Sequence, residues 1–187
     1  MGEPGIEMTL SDGTDARFGE GGHTTGVRDW LVAGAVIEGP DGVLLVQNRR
    51  RNGSHDWSPP GGVIDEGETV LDGLTREVRE ETGLEVTAWE GPIYEIEVVA
   101  PDLGWRLRVE SFVALAYDGE LVVDDPDGIV VDACFVAAEH CARHLGGSFQ
   151  WVAEPLSEWL DEPWAGSRSF GYDVAGGDLA SLSVTRR

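Results

Sequence analysis

Cysteine is scarce in this chain, and this limits the chemistry that can be expected of it. Only Cys134 and Cys141 are cysteines among the 187 residues. Two cysteines cannot build a disulfide framework, and without a CxxC pair the usual zinc patterns are missing. His55, His140 and His144 show no spacing to a fourth ligand, so no zinc site is expected. We therefore expect a cytoplasmic protein with two reduced, packed thiols.

Long apolar runs are also missing. The chain contains no stretch of about eighteen uncharged apolar residues, so we expect no membrane-spanning helix. The N-terminal residues MGEPGIEMTLSDGTD are acidic and polar, and they lack the basic and apolar regions of a secretory signal peptide.

Positive charge is the third shortage. The chain has 13 Lys and Arg against 35 Asp and Glu, for a formal net charge of −22. This balance argues against a nucleic-acid polymer as the main partner, because such a partner is bound largely through basic residues. It favours binding of cations. An anionic small molecule can still be a substrate if metal ions screen the site.

The length of the chain favours one domain with a few additional elements. We predict a flexible N-terminal extension over 1–26, a domain over 27–164, and a C-terminal hairpin over 165–187 that packs on the domain. Apolar patterns and turn residues predict strands near 30–39, 43–48, 85–90, 93–100, 105–117 and 129–136, a helix from Thr69 to Gly83, and helical segments near 135–145 and 155–160.

The first predicted helix concentrates negative charge on one side. Glu77, Glu80 and Glu81 fall at i, i+3 and i+4, so they cluster and repel one another. The face is either solvated and salt-bridged or occupied by cations, and carboxylate oxygens suit Mg²⁺ or Mn²⁺. Arg76 lies four residues before Glu80 and can orient that carboxylate, while Glu68 precedes the helix and can reach the cluster. The buried stripe of this helix is expected to comprise Val70, Leu71, Leu74 and Val78.

The residues around this cluster resemble the Nudix box, G-x5-E-x7-R-E-U-x-E-E-x-G-U, in which U is aliphatic. Every fixed position is filled at the required spacing, by Gly62, Glu68, Arg76, Glu77, Val78, Glu80, Glu81, Gly83 and Leu84. The resemblance implies an α/β fold, the Nudix α/β/α sandwich with a mixed β-sheet. It also implies hydrolysis of a nucleoside diphosphate linked to another moiety, by attack of water on phosphorus.

The resemblance further implies a role for each matched residue. Glu77, Glu80 and Glu81 would bind Mg²⁺, or Mn²⁺ in its place, and the Gly61 carbonyl would add a ligand. Glu68 would assist the metal cluster, and Arg76 would hold the glutamates in position. Together these residues, Glu68, Arg76, Glu77, Glu80 and Glu81, form the predicted catalytic set.

The general base is predicted less directly. It is either a glutamate of the box or an acidic residue on a later loop near 124–132. Relatives often carry a glutamate on that loop, whereas this chain has Ile129 at the corresponding point. Asp127 and Asp132 flank it and are the candidate bases outside the box, with Glu80 or Glu81 as the alternative.

Candidate substrate contacts lie outside the box. Arg49, Arg50 and Arg51 belong to a basic loop that can meet phosphates, or is simply solvated. Arg106 and Arg108 alternate with apolar residues on a strand, so they line a polar pocket wall or an ordinary surface. Trp57 precedes the glycine loop and either lines a nucleobase pocket or packs in the core.

These patterns predict a Mg²⁺-dependent pyrophosphohydrolase acting on a small nucleotide-type diphosphate, either like a nucleoside triphosphate or 8-oxo-dGTP, or like ADP-ribose. One alternative is a Nudix-fold sensor that binds a nucleotide or nucleotide sugar without cleaving it. Another is the isopentenyl diphosphate isomerase branch, which would need a cysteine and a glutamate flanking a double bond. A homodimer is expected by similarity to relatives.

Overall fold

The structure is a computed structural model that describes residues 27–177 and 182–187. The predicted extension over 1–26 lies outside the described residues. The strands are β1 (Arg28–Val36), β2 (Glu38–Gly39), β3 (Gly42–Arg49), β4 (His55–Ser58), β5 (Gly61–Val63), β6 (Glu85–Ala100), β7 (Trp105–Asp118), β8 (Val130–Val136), β9 (Arg168–Ala175) and β10 (Ser183–Arg186), and the helices are α1 (Val70–Thr82), α2 (Ala138–His144) and α3 (Gln150–Asp161).

The strands form one larger and one smaller sheet. The larger sheet has the order β10-β9-β6-β7-β1-β5, and the smaller one joins β2, β3 and β4, with β8 paired to β3. The larger sheet is mixed, because β1 runs parallel to β7 and β6 runs parallel to β9 while the other pairs are antiparallel. The predicted α/β fold with a mixed sheet is therefore confirmed.

Two hydrophobic clusters lie on opposite faces of the larger sheet. One contains Leu74 and Val78 of α1 together with Ala33 and Ala35 of β1. The other contains Val36 of β1 and the apolar side chains of α2 and α3. Successive residues of a strand point to opposite faces, so β1 contributes to both clusters and the sheet is covered by helices on both sides.

Helix α1 begins and ends where its sequence predicts. The Thr69 hydroxyl caps it by accepting from the Asp72 N–H, and Gly83 ends it in a left-handed conformation with φ of 73°. One member of the predicted stripe is wrong. Leu71 lies in the first turn and is 40% exposed, whereas Leu74 and Val78, one and two turns further on, are fully buried.

Two other elements differ from the prediction. The two strands predicted near 85–90 and 93–100 are one long strand, β6, whose pairing with β7 shifts register between Glu90 and Tyr94. Helix α3 begins at Gln150, ahead of the predicted start, and holds Pro155 within it. The alternating C-terminal sequence pairs as expected, since β9 and β10 are antiparallel neighbours.

Within the described part of the chain, no helix is both long and apolar enough to cross a membrane.

The burial of α1 predicts that Val78→Asp prevents folding while Leu71→Asp does not. Val78 is fully buried, so aspartate there would place a charge in the apolar cluster at a cost of more than about 4 kcal/mol. Leu71 is exposed on the same helix, and the same change there should cost less than about 1 kcal/mol. Thermal unfolding followed by circular dichroism measures both, and a cooperative Val78→Asp transition near that of the wild type would contradict this packing.

Candidate active site

The Arg76 guanidinium connects the loop before α1 with the carboxylates of the helix. Nε and Nη2 each donate to a different carboxylate oxygen of Glu68, both at 3.0 Å. Nη1 donates to Glu77 at 2.7 Å and to Glu80 at 3.3 Å, and Nη2 also reaches the Val63 carbonyl at 3.4 Å. The hydrogen bonds from Arg76 lower the pKa of Glu68. One guanidinium thus organises three of the four box glutamates, as the sequence predicts for Arg76.

Glu81 is oriented by a backbone group instead. Its Oε2 accepts a hydrogen bond of 2.8 Å from the Gly61 N–H. Gly61 has φ of 138°, and a Cβ built there would lie 2.2 Å from the Ala33 carbonyl oxygen across the β1–β5 pair. Only glycine can bring its N–H to this position, because the strand approaches too closely for a side chain. Gly61, whose carbonyl is predicted to bind a metal, acts in the structure as a hydrogen-bond donor to Glu81.

The carboxyl group of Glu81 is in an unfavourable place for charge. Glu81 is 3% exposed, and burial raises its pKa well above the ordinary value of 4.5. The hydrogen bond from Gly61 opposes this rise, while the nearby charges of Glu77, Asp125 and Glu80 add to it. Such a group gains from a positive partner, which would favour its ionised form.

The carboxylate oxygens of the box glutamates are of the kind that hard divalent cations prefer as ligands. Their present rotamers do not converge on one point. Among residues 27–177 and 182–187, no three His, Cys, Asp or Glu side chains are grouped closely enough to hold an ion together. Arg76 Nη1 is bound to both Glu77 and Glu80, and Glu81 faces Gly61. Glu80 has a side chain that is 35% exposed and is the member with the most freedom to reorient toward a metal.

The acidic residue of the later loop that acts on the cluster is Asp125, which the sequence analysis missed. Asp125 lies close enough to raise the pKa of Glu81. Its Oδ2 accepts from the N–H groups of Ile129 and Val130 at 2.7 and 2.8 Å, and Oδ1 accepts from Asp127 at 3.1 Å. An Asp before a Pro is a common turn signal, but nothing in the sequence shows that this turn lies beside α1.

The two predicted loop bases do not occupy that position. Asp127 is an exposed turn residue, and Asp132 is exposed on β8, with Oδ1 bound to the neighbouring Ala133 N–H. Neither lines the cavity described below. They are therefore poorly placed for a reaction beside Glu81.

A cavity of about 170 Å³ opens next to Glu81 and Gly61. Its walls are mostly apolar, with strand residues on one side and the start of α3 on the other. The strand side comprises Val32, Ala33, Gly34, Tyr94, Ile96, Leu107, Val109 and Ser111, and the α3 side comprises Phe149, Trp151 and Val152. A cleft with apolar walls and a few polar groups is the usual form of a small-molecule site.

Asn48 is the polar side chain that the sequence analysis missed in this cavity. It is 7% exposed and lines the wall. Its amide nitrogen donates to Ser58 at 2.9 Å and to Asp56 at 3.3 Å, and Asp56 is in turn bound by Arg50 through two hydrogen bonds of 2.7 Å. A polar residue at the end of the run VLLVQN is a weak signal in the sequence, and only the fold shows that Asn48 lines a cavity.

The fold and the box geometry agree with the sequence profile of the NUDIX domain, which matches residues 29–158. The chain belongs to the Nudix family. Nucleoside diphosphate-linked moiety X motif 6 of Xenopus laevis is 37% identical over 82 residues, which is 44% of this chain and 36% of that protein. The uncharacterised Nudix hydrolase YvcI of Bacillus subtilis is 33% identical over 99 residues, 52% of this chain and 61% of that protein. This Nudix chain thus spans less than two thirds of the length of either relative.

The Nudix fold is also seen in a solved structure. The MutT protein of Bacillus halodurans aligns with a TM-score of 0.60 and 22% identity, over 83% of this chain and 97% of that one. At this identity the likeness shows the fold alone.

Two of the predicted substrate arginines of this Nudix chain, Arg106 and Arg108, do not line the cavity. Leu107 and Val109 face it, so Arg106 and Arg108 lie on the opposite face of β7, where Arg108 pairs with Glu110 at 2.8 Å. The alternation along the strand is as predicted, but the apolar side forms the pocket wall. Arg106 and Arg108 therefore lie on ordinary exposed surface, the second of the two predicted alternatives.

Of the remaining predicted contacts, Arg50 lines the cavity, whereas Arg49, Arg51 and Trp57 do not. Arg49 donates to the Gly128 carbonyl at 3.0 Å and so holds the loop that contains Asp125. Arg51 is exposed in the basic loop. Trp57 packs edge-on against His144 with ring centroids 5.2 Å apart, so it is a packing residue and not a wall of the cavity.

Glu81→Gln should stabilise the metal-free protein in a pH-dependent way. Below pH 4.5 the carboxyl group is protonated in both the folded and the unfolded state, and the substitution should change little. As the pH rises above 4.5, the unfolded state ionises first because the folded-state pKa is raised, so the wild type loses stability. Glutamine cannot ionise, and its advantage should therefore grow toward neutral pH.

Melting temperatures in chelator between pH 4 and pH 8 measure this effect. Glu80→Gln is the control, because Glu80 is partly exposed on the same helix. An advantage of Glu81→Gln that stays constant over the whole pH range would show that burial of the charge is not its cause.

Arg76→Ala should destabilise the protein by about 3 kcal/mol, because the 1% exposed Glu77 carboxylate would lose the guanidinium. Arg79→Ala removes an exposed arginine from the same helix and should cost less than about 1 kcal/mol. Urea unfolding gives both values. Equal losses in the two variants would contradict the organising role of Arg76.

Proposed function

We propose that this chain is a Mg²⁺-dependent Nudix hydrolase that cleaves the diphosphate of a nucleoside diphosphate linked to another moiety. The position of Glu81 carries the proposal. Glu81 belongs to the glutamate cluster of α1 and also lines the apolar cavity. Carboxylates suited to a cation that would bind phosphates and a pocket suited to a flat, uncharged ring therefore meet at one residue.

The cavity supports a nucleobase as the group that is recognised. Its walls are apolar strand side chains and the aromatic residues Phe149 and Trp151, whose rings stack at 4.3 Å with an angle of 9° between them. Aromatic and aliphatic walls stabilise a planar heterocycle by burial and stacking. Asn48 and Ser111 add polar atoms that can select among bases. The diphosphate of the same molecule would then extend toward Glu81.

The comparisons support the substrate class. The name of the Xenopus relative refers to a moiety linked to a nucleoside diphosphate. We extend that class to this chain as a proposal, with nucleoside triphosphates such as 8-oxo-dGTP and with ADP-ribose as its two branches. The two free thiols, Cys134 and Cys141, support a cytoplasmic location.

The chemistry follows from the side chains of α1. Nudix hydrolases generally use divalent metal ions, and such an ion supplies charge neutralisation at the diphosphate and a more acidic water. Glu77, Glu80 and Glu81 would hold it. Arg76 would keep the carboxylates of Glu77 and Glu80 in place, and the Gly61 N–H would orient Glu81. Glu81 is bound to Gly61 through Oε2, which leaves Oε1 to bind the ion or to accept a proton from water.

The function is tested by a substrate screen with Mg²⁺, with Mn²⁺ and with chelator. The screen covers dGTP, 8-oxo-dGTP, ADP-ribose, a dinucleoside polyphosphate and a nucleotide sugar, and hydrolysis in ¹⁸O-water shows which phosphorus is attacked. We expect metal-dependent cleavage within the diphosphate of one substrate class. Tight binding without cleavage would instead support a sensor, and isomerisation of isopentenyl diphosphate in a separate assay would support the isomerase branch.

Glu81→Gln should lower kcat on the best substrate by about 100-fold or more, since even groups that only support a metal ligand account for about 10- to 100-fold. Glu85→Gln is the matched control, because Glu85 is exposed just after the helix and should leave kcat unchanged. Near-normal turnover of Glu81→Gln would remove Glu81 from the proposed metal ligands.

A further inference from the structure

The last strand of the described chain is bound to helix α3 by one arginine. Arg186 of β10 pairs with Glu158 through both carboxylate oxygens and reaches Glu154 Oε2 at 3.5 Å. Its guanidinium also lies over the Phe170 ring, 4.9 Å from the centroid. Both glutamates lie on α3, one turn apart, so Arg186 clamps the middle of that helix to the sheet.

A buried tyrosine supports the same clamp from β9. Tyr172 is fully buried, and its hydroxyl donates to Glu154 Oε2 at 2.9 Å. The other oxygen of Glu154 accepts from the side-chain amide of Gln150. Glu154 therefore links the C-terminal hairpin to the first residue of α3.

That first turn of α3 is a wall of the cavity. The cavity is lined by Phe149, which precedes the helix, and by Trp151 and Val152 in its first turn. Gln150 stands between Phe149 and Trp151 in the sequence, and the rings of these two residues stack on each other. A shift of the first turn would therefore displace the aromatic wall. The chain of contacts runs from Arg186 to Glu154, to Gln150, and then to the cavity.

We propose that Arg186 is a positioning residue, which acts through Glu154 and Glu158 to hold the aromatic wall of α3 against the group bound in the cavity. The inference rests on the proposed function in one respect, that the cavity receives part of the substrate. The C-terminal hairpin would then set the affinity for the substrate without taking part in the chemistry at the glutamates.

The test compares Arg186→Gln with Arg187→Gln in the full chain. Arg187 follows directly and also forms ion pairs, but with Glu97 of β6 at 2.7 Å and Asp173 of β9 at 3.5 Å, not with α3. Both variants lose one positive charge and one set of partly exposed ion pairs. Arg186→Gln should raise KM about two- to fivefold, the range expected for such pairs, with kcat within about twofold of the wild type. Arg187→Gln should change neither.

Amide hydrogen exchange over residues 150–161 gives a second readout that does not need activity. Arg186→Gln should speed exchange in the first turn of α3, and Arg187→Gln should not. Equal exchange in the two variants, or a KM effect that they share, would overturn the proposal and leave Arg186 with a general structural role. If the wild type cleaves nothing in the screen, the proposed function fails, while the exchange data still decide whether Arg186 positions the wall.

Discussion

The guanidinium of Arg76 is the positive charge that allows several carboxylates to share one side of a helix. Unaided, Glu77, Glu80 and Glu81 would repel one another, and Glu77 would be buried at a large cost. Arg76 lies among them and also binds Glu68 through two hydrogen bonds, so the loop before α1 and the helix itself are held by the same group. The glutamates Glu68, Glu77 and Glu80 are thus held together by one of the few basic residues in a chain of net charge −22.

Glu81 is the glutamate of the box that Arg76 does not organise, and its different environment links the box to the cavity. A glycine at position 61 lets β5 approach β1 so closely that its N–H reaches the carboxylate. Burial keeps the pKa of Glu81 high, so the residue is poised to gain from a cation. The same burial places it in the wall of an apolar cleft. Glu81 belongs to both the glutamate cluster and the cleft because two strands approach without an intervening side chain.

The opposite wall of the cleft has another origin. Helix α3 is held by a second cluster of charged and aromatic residues, which involves Tyr172, Arg186, Glu154 and Glu158. Two members of this cluster, Tyr172 and Arg186, lie beyond residue 158, where the match to the NUDIX domain ends. The box and the hairpin therefore act on different walls of one cavity.

The sequence by itself determined the features that depend on local spacing. The caps Thr69 and Gly83, the burial of Val78 and the pairing of Arg76 with the glutamates follow from contacts within a few turns of one helix, which residue spacing encodes directly. Box recognition adds the fold, because nine matched positions identify a whole architecture.

Only the tertiary structure decided which residues meet across the chain. Alternation on β7 separates Arg106 and Arg108 from Leu107 and Val109, but it does not say which face another element will cover. Asn48 and Asp125 reach the site because strands and turns distant in sequence converge there, and no local pattern records that convergence. Spacing along the chain encodes neighbours on one element, whereas the packing of separate elements decides which faces are buried and which side chains share a cavity.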